Sequence, residues 1–289
     1  MQLTDKDPSL DPTVDAAQRP VAPPRQDNHG AMEFSARLAD DVLMALRFYS
    51  RLPTGDRPHE LPNLSRIAPA LPFASVVIGL LPVLVLVVGT WLSLPPFFAA
   101  TLGVIVAVVV TGAMTEDALA DSMDGLFGGS TRERRLEIMK DSRHGTYGVS
   151  AIVLLLVARV TALGAMAAIN PLVAGGAWLC AMVLSRSFAL WLTVELPPAR
   201  ADGASAAAGR VGKGGFGIGL GLAVLIGFAF GAPATSFLAI ILAVGLSGLV
   251  ALGWTQVCGR LAGGQTGDLI GALQGFVELA VLAVLVAFA

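Results

Sequence analysis

Charged side chains are scarce in this sequence: Asp, Glu, Lys and Arg make up 14% of its 289 residues, against about 25% in soluble proteins. None of the four occurs in residues 67–115, 160–185 or 214–259. The mean hydropathy is +0.73, which excludes an ordinary soluble domain and indicates a membrane protein. The net charge of −2 gives no electrostatic basis for nucleic-acid binding, so no nucleic-acid partner is expected.

Cysteine and histidine are rare as well, with two and three residues. Cys180 and Cys258 stand far apart in apolar sequence, so they predict neither a disulfide framework nor a paired metal site. His29, His59 and His144 occur singly. A zinc site is therefore not expected.

Long apolar runs lie between the charges, and a helix needs about 20 apolar residues to cross the hydrocarbon of a bilayer. Two of the runs are each long enough for two helices, with a turn predicted at Leu94-Pro95-Pro96 and another at Gly231-Ala232-Pro233. Further spans are predicted at 147–169, 172–194 and 268–289. Because the runs do not alternate and backbone groups in lipid must bond internally, the spans are helices. The predicted fold is all-α and polytopic, with about seven transmembrane helices.

The basic residues show which side of the membrane the loops face. Apart from Arg159 and Arg186, which fall within predicted spans, they lie before the first span and in the loops after the second, fourth and sixth spans. The turns near Pro95, Asn170 and Pro233 carry none. By the positive-inside rule, the N-terminus and all polar loops are predicted to be cytoplasmic.

The N-terminal part divides in two. Residues 1–33 are rich in Asp, Pro and Gln and lack an apolar core, which predicts a disordered cytoplasmic tail. Residues 34–52 place apolar side chains on one side at helical spacing, which predicts an amphipathic helix along the membrane interface. That helix is either a lid over the active site or, as we favour, a peripheral support. Residues 34–289 are predicted to form one membrane-embedded domain.

An acidic strip lies where the second span meets the cytoplasm. Asp117, Asp121 and Asp124 recur at i, i+4 and i+7, which places them within about 60° on one face of a helix. Such carboxylates repel one another unless a cation neutralises them, and hard oxygen ligands suit Mg²⁺ or Mn²⁺. The strip predicts a divalent-metal site; the alternative is a solvated helix end paired with neighbouring arginines. Glu116 points away from this face.

A second polar patch opens the last span. Asp268 is expected either to supply a fourth carboxylate to a two-metal site or to cap its helix. Gly267, Gly271 and Gly275 recur every four residues, a pattern that lets another helix approach closely.

Glu278 lies deeper in the same span. An acid within the membrane is a functional candidate, and an ion pair with Arg159 or Arg186 is an equally good structural explanation.

A charged segment, residues 132–148, separates the second and third spans. Alternating charges are typical of a solvated helix. Beside an acidic metal site, however, its cations are what a phosphate or pyrophosphate substrate needs. Backbone N–H groups of the turn at 145–148 and the side chain of Lys213, which matches no Walker pattern, are further candidates for the same substrate.

These motifs closely resemble the cobalamin synthase family, the adenosylcobinamide-GDP ribazoletransferases. The resemblance extends from about residue 34 to the C-terminus and is carried by residues 117–125, 135–148 and 263–272. Arg51-Leu52-Pro53, Ser185-Arg186 and Glu278 are similar to further landmarks of the family. Thr115 stands where the family often has His, Ala118 where Gly is common, and His144 where the residue is usually apolar.

The resemblance implies the last step of cobalamin nucleotide-loop assembly in the cytoplasmic (inner) membrane of a bacterium. A hydroxyl of α-ribazole, or of its 5′-phosphate, attacks the pyrophosphate of adenosylcobinamide-GDP, which yields adenosylcobalamin, or its 5′-phosphate, and GMP. The predicted catalytic residues and ligands of Mg²⁺ (or Mn²⁺) are Asp117, Asp121, Asp124 and Asp268. The predicted substrate-binding residues are Arg132, Arg135, Lys140, Asp141, Ser142, Arg143, Gly145, Thr146, Lys213 and Thr266.

Two other functions are alternatives. The acidic helix end also resembles the CDP-alcohol phosphotransferases that make phospholipids, but Asp124-Gly125 is followed here by Leu-Phe-Gly-Gly and not by the Ala-Arg of that family. A secondary transporter would place its carboxylates near mid-membrane in matched halves, whereas these gather at one end. The sequence leaves open the oligomeric state, the number of metal ions and the general base.

Overall fold

A computed structural model describes residues 29–55, 62–200 and 208–289, with side chains from Arg37 onward. The predicted tail, 1–33, lies outside the described residues except where α1 has begun. Eleven helices occur in the described parts of the chain. They are α1 (His29–Tyr49), α2 (Leu64–Trp91), α3 (Pro96–Thr111), α4 (Met114–Gly128), α5 (Arg132–Ile138), α6 (Thr146–Ile169), α7 (Pro171–Ala189), α8 (Trp191–Glu195), α9 (Lys213–Ala234), α10 (Phe237–Leu261) and α11 (Gly267–Ala287).

The helices are long and apolar enough for a polytopic membrane protein. Six qualify as spans: α2, α6, α7 with α8, α9, α10 and α11. Counting α3 and α4 as one bent span raises the number to seven. The prediction of an all-α fold with about seven transmembrane helices is therefore confirmed.

Helix ends follow local sequence signals. Pro96 and Pro171 begin α3 and α7, where the missing N–H of proline costs no helical hydrogen bond. The turn predicted at Leu94-Pro95-Pro96 is confirmed. The second turn lies a little later than predicted, because α9 continues through Pro233 to Ala234 and the Ser236 side chain caps α10 by accepting from Ala239 N. A proline this near a helix end removes little of the hydrogen-bond ladder.

The core is centred on α7, which is almost wholly buried and packs against α2, α9 and α11. Trp178 on α7 is fully buried. The last turns of α1 join a second apolar cluster, in which Ala45 and Tyr49 pack with Ile67 and Leu71 of α2. This part of α1 is a packed helix, as expected of a support.

A sharp break separates α3 from α4. Gly112 and Ala113 both have positive φ, +64° and +58°, and the two helices differ in direction by 83°. Backbone N–H groups of these two residues bond to Val109 O and Val108 O, the pattern that ends a helix with a left-handed residue. The acidic strip therefore stands on a helix of its own, which is bent away from the apolar helix before it.

Polar loops meet beside the start of α11. Ala199 N donates to Gln265 O at 2.8 Å, and Gln265 N donates to Pro197 O at 2.9 Å. These two backbone bonds hold the start of α11 next to the loop that follows α8. At the start of α2, Leu64 N donates to Ala208 O at 3.0 Å, which joins α2 to the segment before α9.

Candidate active site

Close packing between α4 and α11 brings the two acidic segments together. A side chain at Gly271 would collide with Ala118, and a methyl group at Gly275 would lie 3.4 Å from the Thr115 methyl group. Gln274 Nε2 also donates to Thr115 Oγ1 at 2.9 Å. The predicted close approach of another helix to the glycine stripe is confirmed at Gly271 and Gly275, and the partner is the helix that carries Asp117.

A cavity of about 370 Å³ lies at this junction. It is walled by the end of α1, the start of α2, the α3–α4 break, α4 and the first turns of α11. Its charged lining residues are Arg47, Arg51, Asp117 and Asp268. Acidic and basic side chains from distant parts of the chain therefore share one pocket of a size typical for small-molecule sites.

Asp121 is the centre of the acidic cluster. The charges of Asp117, Asp124 and Asp268 all act on its carboxyl group. The imidazole of His144 lies between two of these acids, with Nδ1 3.7 Å from Asp121 Oδ1 and Nε2 4.0 Å from Asp117 Oδ1. The four predicted aspartates thus form one electrostatic unit.

Asp124 also forms hydrogen bonds with the start of α6. Its carboxylate accepts from Gly145 N at 2.6 Å and from Gly148 N at 2.9 Å. Both donors belong to the start of α6, where free N–H groups favour a negative charge. Asp124 thereby holds the turn at 145–148, which ends the charged segment.

Asp268 lies in the first turn of α11 without capping it. The cap is Thr266, whose Oγ1 accepts from Leu269 N at 3.2 Å. Asp268 Oδ2 instead accepts from Thr266 Oγ1 at 3.3 Å and lies 3.4 Å from an Arg200 Nη2. The capping alternative for Asp268 is therefore wrong, and the carboxylate faces the cavity.

The donor chemistry of this cluster fits a divalent cation. No three His, Cys, Asp or Glu side chains converge as a ready-made metal centre in the described residues. Mg²⁺ does not need one, because it is usually held by one or two carboxylates together with waters and substrate phosphates. Asp117, Asp121 and Asp268 supply hard oxygen atoms whose charges repel one another, which a cation would relieve.

Two arginines of the charged segment bind backbone. Arg132 donates to Ala262 O at 2.9 Å and to Ala199 O at 3.2 Å. Arg135 donates to Leu126 O at 3.1 Å and to Leu261 O at 3.3 Å. In this arrangement both guanidinium groups join α5 to the loops around the site.

The following turn is held by its own ion pair. Arg143 donates to both carboxylate oxygens of Asp141, at 3.0 and 2.7 Å. These hydrogen bonds lower the pKa of Asp141 to about 2. Among the other predicted substrate-binding residues here, Lys140 and Ser142 are exposed.

Comparison with known proteins identifies the family. The sequence profile described as cobalamin-5-phosphate synthase matches residues 41–286. The chain belongs to this family. It is 44% identical over 251 residues to a protein of Azorhizobium caulinodans named adenosylcobinamide-GDP ribazoletransferase, covering 86% of this chain and 95% of the relative.

Other members of the cobalamin-5-phosphate synthase family are similar over nearly the same length. A protein of the same name from Sinorhizobium medicae is 41% identical over 254 residues, 85% of this chain and 95% of the relative. One from Xanthobacter autotrophicus is 44% identical over 257 residues, 82% and 92% of the two chains. No solved structure matches the chain.

Four charged residues near the cavity are absent from the site residues predicted from the sequence. Arg200 contacts Asp268, and His144 lies by Asp117 and Asp121. Arg47 and Arg51 line the cavity. Each comes from a loop or helix end far from its neighbours in sequence, so spacing along the chain contains no signal for the contact. Conversely, Lys213 is exposed at the start of α9 and is not among the described residues that line the cavity.

A buried ionic network lies behind the acidic strip. Arg159 of α6 donates to Glu116 of α4 and, at 2.7 Å, to Glu278 of α11. Trp178 Nε1 donates to the other Glu278 oxygen at 3.2 Å, whereas Arg186 donates to the backbone. Of the alternatives for Glu278, the structure shows the ion pair with Arg159.

Proposed function

We propose that this protein transfers the adenosylcobinamide phosphate group from adenosylcobinamide-GDP to α-ribazole or to its 5′-phosphate. Membership of the cobalamin-5-phosphate synthase family and relatives named adenosylcobinamide-GDP ribazoletransferase support this activity. The observation that carries the proposal is the meeting of Asp117 and Asp268 at one cavity. The reaction joins the acceptor hydroxyl to phosphorus, breaks the bond from that phosphorus to the GMP oxygen and releases a proton.

Asp117, Asp121 and Asp268 would hold the Mg²⁺ or Mn²⁺ ion. When bound, the ion would neutralise charge on the pyrophosphate and on the departing GMP. We assign Asp124 to positioning, because both its oxygens already accept from the start of α6. Arg200 holds the Asp268 carboxylate in place.

An aspartate of the strip also accepts the proton of the attacking hydroxyl in this proposal. Asp117 is well placed for it, since its side chain is 67% exposed and lines the cavity. Arg132, Arg135, Lys140 and Arg143 belong to the charged segment beside the acidic strip and form a basic region that attracts anionic substrates. Lys213 lies outside the described lining of the cavity.

We place the site on the cytoplasmic side of the inner membrane. The acidic cluster lies at the end of the helices where the basic loops meet, and basic loops favour the cytoplasm. The substrates are large and charged, so they reach the site from water rather than through lipid. The bilayer and the two substrates are the partners of this proposal.

GMP release by the purified protein in lipid vesicles tests the function. The reaction contains adenosylcobinamide-GDP, α-ribazole and Mg²⁺, with controls that contain EDTA or lack α-ribazole. We expect GMP and a cobalamin product only in the complete reaction. CDP-linked alcohols form a separate arm, and turnover of those substrates alone would contradict the proposal in favour of a phospholipid-type enzyme.

A further inference from the structure

Arg51 contributes a cation to the lining of the cavity. Its guanidinium group makes no hydrogen bond or ion pair within the parts of the chain that the structure describes. Arg47, which lines the same cavity, donates to Thr54 through Oγ1 at 3.0 Å and through the carbonyl oxygen at 3.3 Å. Unlike Arg47, Arg51 therefore has five N–H donors that are available to a ligand.

The position of Arg51 is fixed by the break between α3 and α4. Its backbone N–H donates to Val110 O at 2.7 Å. Its side chain lies across Gly112, where a methyl group would come within 2.6 Å of Arg51 Nε. Gly112 also takes the positive φ that ends α3, a conformation that glycine adopts without strain. The backbone turn that begins α4 therefore also makes room for the Arg51 side chain.

We propose that Arg51 binds a phosphate group of a substrate inside the cavity that it shares with Asp117 and Asp268. A guanidinium fork matches phosphate oxygens with two parallel hydrogen bonds. The carboxylates alone would repel such a group, so an unpaired cation in the same pocket makes its binding favourable. This inference rests on the proposed function, whose substrates carry phosphate in two places: the pyrophosphate of the donor and, when present, the 5′-phosphate of the acceptor.

Steady-state kinetics of Arg51→Gln and Arg51→Lys in lipid vesicles test the inference. The KM for adenosylcobinamide-GDP is measured with each acceptor, and the KM values for α-ribazole and for its 5′-phosphate are measured at saturating donor. Arg134→Gln is the matched control, because Arg134 is exposed on α5, pairs with Glu137 at 2.7 Å and lies outside the cavity lining.

We expect KM to rise by about 10- to 100-fold in Arg51→Gln, the effect of losing a charge-assisted hydrogen bond. A rise for the donor with both acceptors locates the pyrophosphate at Arg51. A rise only for the phosphorylated acceptor locates the 5′-phosphate there. Arg51→Lys should recover part of the loss, since lysine keeps the charge but not the fork.

Values within about twofold of wild type for all three substrates would overturn the inference, and so would a loss of kcat with every KM unchanged. Inactive wild-type protein would instead contradict the proposed function. A measurement that needs no turnover uses inorganic pyrophosphate with Mg²⁺, which should raise the unfolding temperature of wild-type and Arg134→Gln protein more than that of Arg51→Gln. Failure of both Arg51 variants to fold would assign the residue to structure and also overturn the inference.

Discussion

Asp124 Oδ1 accepts a hydrogen bond from the backbone N–H of Gly148 at 2.9 Å, across 24 residues of chain. The contact joins the acidic strip on α4 to the first turn of α6. It depends on glycine, because a methyl group at Gly148 would collide with the Asp124 carboxylate and would lie 2.9 Å from Ala120 O. One carboxylate thus holds α4, which carries the acids, against the turn at 145–148.

Gly148→Ala is expected to reduce turnover by at least about 10-fold, since the added methyl group displaces Asp124 and with it the neighbouring aspartates. Misplacement by about 1 Å is enough for a loss of this size or more. Turnover and helical content by circular dichroism are the measurements. Gly217→Ala on α9 is the control, because a methyl group there meets no atom within 4 Å. Equal activity of the two variants would contradict the role of the contact.

Asp121→Asn is expected to fold and insert normally and to lose activity by about 100-fold or more. The substitution keeps the shape of the side chain but removes the charge at the centre of the cluster, and it replaces a carboxylate ligand with a weaker one. Turnover is measured over a range of Mg²⁺ concentrations, with Glu133→Gln on the exposed face of α5 as the control. Wild-type turnover by Asp121→Asn at limiting Mg²⁺ would disprove the metal assignment.

Gly271→Val is expected to separate α4 from α11 and so to reduce activity with a smaller effect on helical content. The side chain of valine has no room against Ala118, and overpacking of this kind typically costs about 1–3 kcal/mol. The unfolding temperature in detergent and the turnover rate are compared with those of Gly248→Ala, which faces open space on α10. The prediction fails if both variants behave alike.

Arg159→Met is expected to lower the free energy of unfolding by about 3–5 kcal/mol, because it leaves Glu116 and Glu278 buried without their shared cation. Arg134→Gln, which breaks an exposed pair with Glu137, should change stability by about 1 kcal/mol or less. Denaturant titration in detergent measures both. A loss for Arg159→Met no larger than that for Arg134→Gln would contradict the prediction.

Much of the fold could be predicted from local pattern. The apolar runs predict the spans, and Pro96 and Pro171 are typical first residues of a helix. Gly271 and Gly275 predict that another helix packs closely against α11. The break at 112–113 could not be predicted, because Gly-Ala is a weak signal within an apolar run. Ala113 takes its left-handed conformation, which costs about 1–2 kcal/mol, only in the setting of the folded chain.

The candidate site was predicted in its acids and only partly in its cations. The i, i+4, i+7 spacing places Asp117, Asp121 and Asp124 on one face wherever their helix lies, and it needs no knowledge of the neighbours. An arginine can contact a carboxylate, donate to a carbonyl oxygen or line a cavity. Which of these occurs depends on how loops that are far apart in sequence pack together. Arg135 bonds to backbone and Arg200 contacts Asp268, and nothing in their local sequence distinguishes the two.

The sequence by itself determined that this chain lies in a membrane as a bundle of helices with an acidic strip at one end, because hydropathy and helical periodicity are properties of short segments. Tertiary structure alone decided that the strip turns away from its span by 83°, that α11 brings Asp268 to it, and that Arg51 lines the resulting cavity without a partner among the described residues. The last two relationships arise from packing between segments more than 60 residues apart, and the physical reason is that side-chain contacts form only where whole helices fit together.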